Sequence, residues 1–284
     1  MGNHDGHHHH HGDDFDWVAM ADTLELDGAM MLPLVQDIVR DEQLGVRWPG
    51  LRHVLDVGCG PGVIACALAD HAQFAQVTAL DTLAPLLARA QARAAAQSVA
   101  DRITTVEADL DGPLPDLDPV DLVWASMVLH HVADPTAVLA ALLQRLRPGG
   151  TLVMIEFSGP SAVLPADDPL LADGTWARLE AAGASVVRER LGLDPYTIDW
   201  PSLLADAGYE AVTDRTRVAY HPAPLHADAR HWVARHVNRG LDMVGDRIPQ
   251  ADRPALQDLA DSVGRRNDLY VRAQRRVLSA RRPE

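Results

Sequence analysis

The stretch from Val54 to Ala65, VLDVGCGPGVIA, joins a predicted buried strand to a predicted helix through a glycine-rich turn. Glycine has no Cβ and tolerates positive φ, so Gly58, Gly60 and Gly62 allow the backbone to lie against a ligand. Ligands of open α/β sheets bind at the carboxyl ends of strands, where this turn would lie. A dinucleotide fingerprint, G-x-G-x-x-G, requires a further glycine at position 63, and that residue is Val63. The stretch therefore predicts an α/β fold with room for an adenosine-sized ligand.

Four more predicted strands follow, at Gln76–Asp81, Ile103–Glu107, Asp121–Ala125 and Thr151–Phe157. Asp81 comes about 20 residues after the glycines, where a carboxylate can accept the hydroxyls of a ribose. A helix-start role is the alternative for Asp81. Asp134 and Pro135 predict the start of a helix that ends at Arg147-Pro148-Gly149-Gly150. These alternating elements predict a mostly parallel sheet covered by helices.

The run D-x-G-x-G-x-G from Asp56 to Gly62 resembles motif I of the class I S-adenosylmethionine-dependent methyltransferases. The resemblance is closest to the ubiquinone/menaquinone C-methyltransferase-like and small-molecule O-methyltransferase group. It implies S-adenosylmethionine as cofactor, with Asp56 near its amino-acid end and Asp109 near the adenine amino group. It implies a cofactor-binding set of Asp56, Gly58, Cys59, Gly60, Gly62, Asp81, Thr82, Asp109, Leu110, Ser126 and Trp17. Trp17 would either close over the methionine moiety or only pack against the domain.

The fold class that follows is α/β, with a Rossmann-like seven-stranded sheet whose last strand is antiparallel. We expect a histidine-rich tail over residues 1–12, either a tag or a native metal-binding segment, and an N-terminal helical cover over 13–50 with a helix at about Leu24–Leu44. The core would occupy 51–224, and 225–266 would form a helical lid inserted between strands six and seven. Residues 267–284 would return the chain to the sheet as its last strand.

Composition limits the partners of the protein. The formal net charge is −15 over 284 residues, which argues against nucleic acid because such partners require basic patches. Two cysteines, Cys59 and Cys66, cannot build a disulfide framework or a C-x-x-C metal site. No apolar run is long enough for a membrane span, and no signal peptide is evident. We therefore expect a cytoplasmic protein with a small-molecule acceptor, no catalytic metal, no membrane partner and the option of a homodimer.

Candidates for a catalytic base follow the fourth and fifth strands. His130 would lie near Glu156, which would orient the imidazole and stabilise its protonated form. Similar O-methyltransferases carry a histidine and an acid at these places, so the resemblance supports the pair. His131 is the competing choice because adjacent residues point in different directions, and packing alone remains an alternative role for the pair.

The predicted function is methyl transfer from S-adenosylmethionine to a hydroxyl, amine or carbon nucleophile of a small metabolite or natural product. The alternative is a non-catalytic S-adenosylmethionine-binding regulatory or partner protein. In the lid, His226, His231 and His236 recur every five residues and so spread around a helix, which favours solvated or capping roles. Arg230, Arg235 and Arg239 would either line the pocket for an acidic substrate or pair with acids on the helix surface.

Overall fold

The computed structural model describes residues 17–41, 50–71 and 76–284, with side chains described from residue 20 onward. The histidine-rich tail and the Trp17 side chain lie outside the described residues. The helices are α1 Trp17–Arg40, α2 Val63–Asp70, α3 Ala84–Ala96, α4 Pro135–Arg145, α5 Pro169–Ala172, α6 Thr175–Leu191, α7 Trp200–Asp206, α8 Ala227–Val244 and α9 Arg253–Ser262. The strands are β1 His53–Val57, β2 Gln76–Asp81, β3 Ile103–Glu107, β4 Val120–Ser126, β5 Leu146–Phe157, β6 Glu210–His221 and β7 Val271–Arg281.

These strands form one seven-stranded sheet in the order β3-β2-β1-β4-β5-β7-β6. The first five strands pair in parallel, whereas β7 is antiparallel to both β5 and β6. The predicted fold class is confirmed. Strand order reverses between β1 and β4, and that switch point is where ligands of such sheets bind.

Apolar side chains cover both faces of the sheet, as parallel strands require. Along β1, Val54 packs into the cluster that includes α1, α2 and α3, while Leu55 packs into the opposite cluster with α4 and α7. A third cluster forms under α6, α8 and α9 and contains Trp176, Trp232 and Leu256. The helices between β6 and β7 thus share an apolar core with α6 and with Met30 of α1.

Two predicted boundaries were wrong. Helix α1 begins at Trp17 instead of about Leu24 and ends at Arg40, because its first turns are anchored by ion pairs such as Asp22 with Arg89, at 2.8 Å. Helix α4 ends at Arg145, just before the R-P-G-G run as predicted, but that run already belongs to β5, which begins at Leu146 instead of Thr151. There, Gly149 N–H donates to Arg282 O at 3.1 Å and Arg282 N–H donates to Gly150 O at 2.8 Å, so distant pairing extends the strand.

None of the helices in the described ranges combines the length and apolarity needed to span a bilayer.

Candidate active site

A cavity of about 710 Å³ lies over the carboxyl ends of the parallel strands. Its floor is formed by the glycine-rich turn and the ends of β2, β4 and β5, and its walls by α1, α6 and α8. Among the candidate residues of the sequence analysis, those that line it are Asp56, Gly58, Cys59, Gly60, Asp81, Ser126, His131 and Arg239. The turn after β1 and the loop after β4 therefore meet at one chamber.

The three glycines of the turn have different surroundings, although each has positive φ. A Cβ at Gly58 would lie 2.4 Å from Cγ2 of Val128, and one at Gly62 would lie 2.6 Å from Cβ of Ala90. A Cβ at Gly60 would meet nothing within 4 Å. Packing of the protein explains the first two glycines, and Gly60 leaves open space beside the cavity.

Asp81 holds the glycine turn in place. Its Oδ2 accepts from the Gly60 N–H at 2.8 Å, and its Oδ1 accepts from the Leu83 N–H at 3.0 Å. Burial raises the pKa of Asp81, and its hydrogen bonds from backbone N–H groups act in the opposite direction. Each oxygen retains lone-pair capacity toward the cavity.

Asp56 is the most unusual group in the chamber. The residue is 2% exposed, and its Oδ2 has no hydrogen-bond partner among the described residues. Burial, together with the nearby charge of Asp81, raises the pKa of Asp56 to about 8. A buried carboxyl without a partner is costly. This arrangement suits a ligand that brings a positive charge to the end of β1.

The two histidines after β4 differ in position. His130 is 5% exposed, and its Nδ1 lies 2.7 Å from Oε2 of Glu156. Glu156 is 1% exposed, and its Oε1 accepts from the Leu129 N–H at 3.0 Å. The expected proximity of His130 and Glu156 is present, but neither residue lines the cavity.

The His131 ring borders the cavity, with its centroid 4.0 Å from that of His130. Water still reaches the side chain, but partial desolvation, followed by the influence of His130, lowers the pKa of His131 to about 4. His131 is therefore neutral near pH 7 and available as a proton acceptor. The structure thus places His131, the competing candidate, and not His130 at the cavity, and which of the two serves as the base stays a prediction.

Residues 55–154 match the profile of the family described as "Methyltransferase domain". This segment of the chain is therefore similar to a methyltransferase domain. An uncharacterized methyltransferase of Mycobacterium bovis is 40% identical over 113 residues, which cover 39% of this chain and 54% of that protein. A ubiquinone biosynthesis O-methyltransferase of Xanthomonas campestris is 43% identical over 112 residues, covering 38% and 44% of the two chains. The chain thus spans about half the length of the curated relatives it matches.

Structural similarity to solved proteins extends beyond that segment. The crystal structure of the YcgJ protein of Bacillus subtilis superposes with a TM-score of 0.53 at 15% identity, covering 88% of this chain and 98% of the other. The similarity therefore includes elements on both sides of the matched region and concerns the fold alone.

S-adenosylmethionine, the cofactor that the sequence resemblance implies, carries an ammonium group, a carboxylate, a sulfonium and a ribose diol. The site fits such a molecule, since Asp56 has an unpartnered buried oxygen and Gly60 has open space where a side chain would project. Asp81 lies next to both and keeps acceptor capacity for hydroxyl groups.

Four residues of the predicted cofactor-binding set lie outside the cavity lining. Gly62 packs on Ala90 of α3. Thr82 and Asp109 are exposed, and Asp109 Oδ1 accepts from the Asp111 N–H at 3.0 Å. Leu110 packs beside the α4 cluster. None of these side chains lines the cavity, and their contacts with the cofactor remain predictions.

Sequence reasoning missed several cavity residues, among them Phe157, Tyr196, His236 and Arg275. His236 is not solvated, because its ring stacks on Trp232 with centroids 4.7 Å apart and burial lowers its pKa to about 4. The signal for Arg275 was available in β7, where Val271, Ala273 and Val277 share one face with it. A single arginine in an otherwise apolar alternation marks a functional position.

Proposed function

We propose that this protein transfers a methyl group from S-adenosylmethionine to a hydroxyl, amine or carbon nucleophile of a small molecule. The observation that carries the proposal is the unpartnered, buried Asp56 carboxyl beside the open Gly60 in a cavity of the methyltransferase fold. When bound, the cofactor supplies a methyl group that is already activated by its sulfonium.

The residues of this chain then have three tasks. Asp56 pairs with the ammonium of the cofactor, and Asp81 accepts hydrogen bonds from the hydroxyl groups of the cofactor ribose. The walls from α1, α6 and α8 exclude water and hold the acceptor in line with the methyl group. Orientation of this kind is worth effective molarities on the order of 10⁵ M or more.

We propose His131 as the proton acceptor for a hydroxyl nucleophile, with His130 and Glu156 as positioning residues. Glu156 fixes the His130 ring through its 2.7 Å contact, and that ring packs against His131. A positioned base contributes roughly 10²- to 10⁴-fold. Replacement of His131 by Ala should therefore lower kcat by about 100-fold or more and leave cofactor affinity unchanged.

The effect of Glu156→Gln separates positioning from simple packing. We expect a several-fold lower kcat and a shifted pH profile, with an unchanged melting temperature, because the amide still accepts the Leu129 N–H bond. If His131→Ala retains kcat within three-fold while His130→Ala loses it, the base is His130.

Calorimetry tests the proposed function itself. The protein should bind S-adenosylmethionine and its demethylated product, and it should not bind NAD. Incubation with a labelled methyl donor and a panel of phenols, amines and active-methylene compounds then separates an enzyme from a non-catalytic binding protein. Absence of S-adenosylmethionine binding by ligand-free protein would refute the proposal.

The proposal includes a cytoplasmic location and no nucleic-acid substrate. The two cysteines are free and buried, as in proteins of reducing compartments. The net charge of −15 opposes binding to phosphate backbones.

A further inference from the structure

Arg275 projects a guanidinium into the cavity wall from β7. It lies directly opposite Phe157 of β5 in the antiparallel register, and its Cζ lies 5.7 Å from the centroid of the Phe157 ring. Nη1 donates to the Gln274 carbonyl at 2.8 Å, while the buried Nε has no partner. Within the described ranges, no carboxylate lies within ion-pair distance of this arginine.

The acids nearest to Arg275 are committed to other groups. Asp27 accepts from Trp232 Nε1 at 2.7 Å and pairs with Arg239 at 3.4 Å. Glu156 accepts from Leu129 and contacts His130, as described above. Glu180 also lines the cavity, and burial raises its pKa while a hydrogen bond from Trp176 acts in the opposite direction.

Burial of an arginine without an ion-pair partner costs folding free energy. Burial lowers the pKa of Arg275, and the charges of Asp27 and Glu156 offset this only in part. A methionine of similar length would fill the space without that cost. Arg275 is therefore better explained by a negative charge that enters the cavity than by packing.

The surroundings of Arg275 indicate the rest of the ligand. The rings of Phe157 and Tyr196 meet edge to face, with centroids 5.7 Å apart at 86°. Phe157 also contacts His130, with centroids 4.8 Å apart, and His130 in turn packs on His131. A continuous row of ring contacts, through Phe157 and His130, thus connects the Arg275 guanidinium with His131, the proposed proton acceptor.

We propose that Arg275 binds a carboxylate of the methyl acceptor, so that the acceptor class is an aromatic acid with a separate nucleophilic group. This inference rests on the proposed function and names its substrate class. Even with Nε enclosed, the guanidinium retains N–H donors for both oxygens of a carboxylate. Phe157 and Tyr196 would flank the ring of the acceptor, and its nucleophile would face His131.

A binding experiment with matched probes tests the inference without turnover. The three hydroxybenzoate isomers and their primary amides share ring and hydroxyl and differ in charge. Each is titrated by NMR into protein saturated with the demethylated cofactor product. For at least one isomer, the wild type should bind the acid ten-fold or more tightly than the amide. A ratio of the two dissociation constants below three for every isomer overturns the proposal.

Variants then test whether Arg275 causes the preference for the acid over the amide. In Arg275→Met the acid-to-amide ratio should fall to about one, and in Arg275→Lys part of it should remain because the charge is kept. Arg272→Met is the matched control, since Arg272 lies on the same strand, is exposed and is absent from the cavity wall. The proposal is overturned if the acid-to-amide affinity ratio persists in Arg275→Met. It is also overturned if Arg272→Met lowers that ratio as much as Arg275→Met does.

Stability and cofactor binding distinguish this role from a structural one. The melting temperature of ligand-free Arg275→Met should be unchanged or higher than that of the wild type, with an unchanged dissociation constant for S-adenosylmethionine. A lower melting temperature with no change in probe binding would assign Arg275 to packing. Failure of S-adenosylmethionine to bind the wild type would instead refute the proposed function.

Discussion

Cofactor affinity should depend on pH through Asp56. The pKa of this carboxyl is raised to about 8, so most of the ligand-free protein carries a proton there at pH 6. If the ammonium of the cofactor pairs with the carboxylate, binding must release that proton. The dissociation constant should then increase roughly twenty-fold as pH falls from 7.5 to 6.0, since each pH unit well below the pKa costs about ten-fold. This window stays below the pKa of an ordinary α-amino group, about 7.7 to 8.0.

Calorimetry in buffers of different ionisation enthalpy measures both the affinity and the number of protons released. We expect close to one proton released at pH 6.0 and fewer at pH 7.5. Asp56→Asn cannot titrate, so it should show a flat profile. It should also bind at least ten-fold more weakly at pH 7.5, because a hydrogen bond to a charged group contributes about 1.5 to 3 kcal/mol. Asp134→Asn is the control, since Asp134 caps α4 and asparagine caps equally well.

The same carboxyl should affect stability in the ligand-free state. Between pH 4 and 8 the folded protein retains a proton on Asp56 that the unfolded chain releases, so stability decreases as pH rises, by at most about 1.4 kcal/mol per pH unit. Urea unfolding at pH 5.5, 6.5 and 7.5 should show a shallower decrease for Asp56→Asn. The reasoning would be refuted if the free energy of unfolding changed with pH equally in the wild type and in Asp56→Asn. It would also be refuted if the wild-type dissociation constant for S-adenosylmethionine changed by less than three-fold between pH 7.5 and 6.0.

Four further predictions concern Gly60, Gly58, Tyr209 and His131. Gly60→Ala should lower stability by only about 1 to 2 kcal/mol, the cost of a side chain in the left-handed region, yet reduce S-adenosylmethionine affinity ten-fold or more because its Cβ would enter the cavity. Gly58→Ala should destabilise the fold much more in chemical unfolding, because its Cβ would overlap Val128, and equal losses for the two variants would contradict this distinction. Tyr209→Phe should cost about 0.5 to 1.5 kcal/mol in thermal unfolding, because it removes the buried bond from Tyr209 Oη to Leu139 O at 3.1 Å, and turnover should be unchanged. At saturating cofactor, kcat should stay constant from pH 8 to 6 and fall only towards pH 4, where His131 gains its proton; a decline centred near pH 6.5 would count against His131 as the base.

The order of strands and helices followed from local sequence. Apolar β-branched runs separated by amphipathic segments of helical length leave few arrangements besides a parallel sheet with helices on both faces. The glycine turn, Asp56 and Asp81 could be assigned because each directly follows or ends a strand, and the ends of parallel strands share one edge. The capping residue Asp134, whose Oδ1 accepts from the Ala137 N–H at 3.0 Å, could be predicted for the same local reason.

Other features were decided only by tertiary structure, because they depend on contacts between distant segments. Whether His130 or His131 meets the cavity depends on Met127, whose φ is +57° and whose N–H donates to Ile155 O at 2.8 Å. Local sequence does not encode that turn, since the bond comes from a neighbouring strand. Likewise, Arg275 belongs to the site only because β7 inserts between β5 and β6. Local sequence thus predicted the fold and the edge of the sheet where the glycine turn lies, and long-range pairing decided which side chains line the cavity.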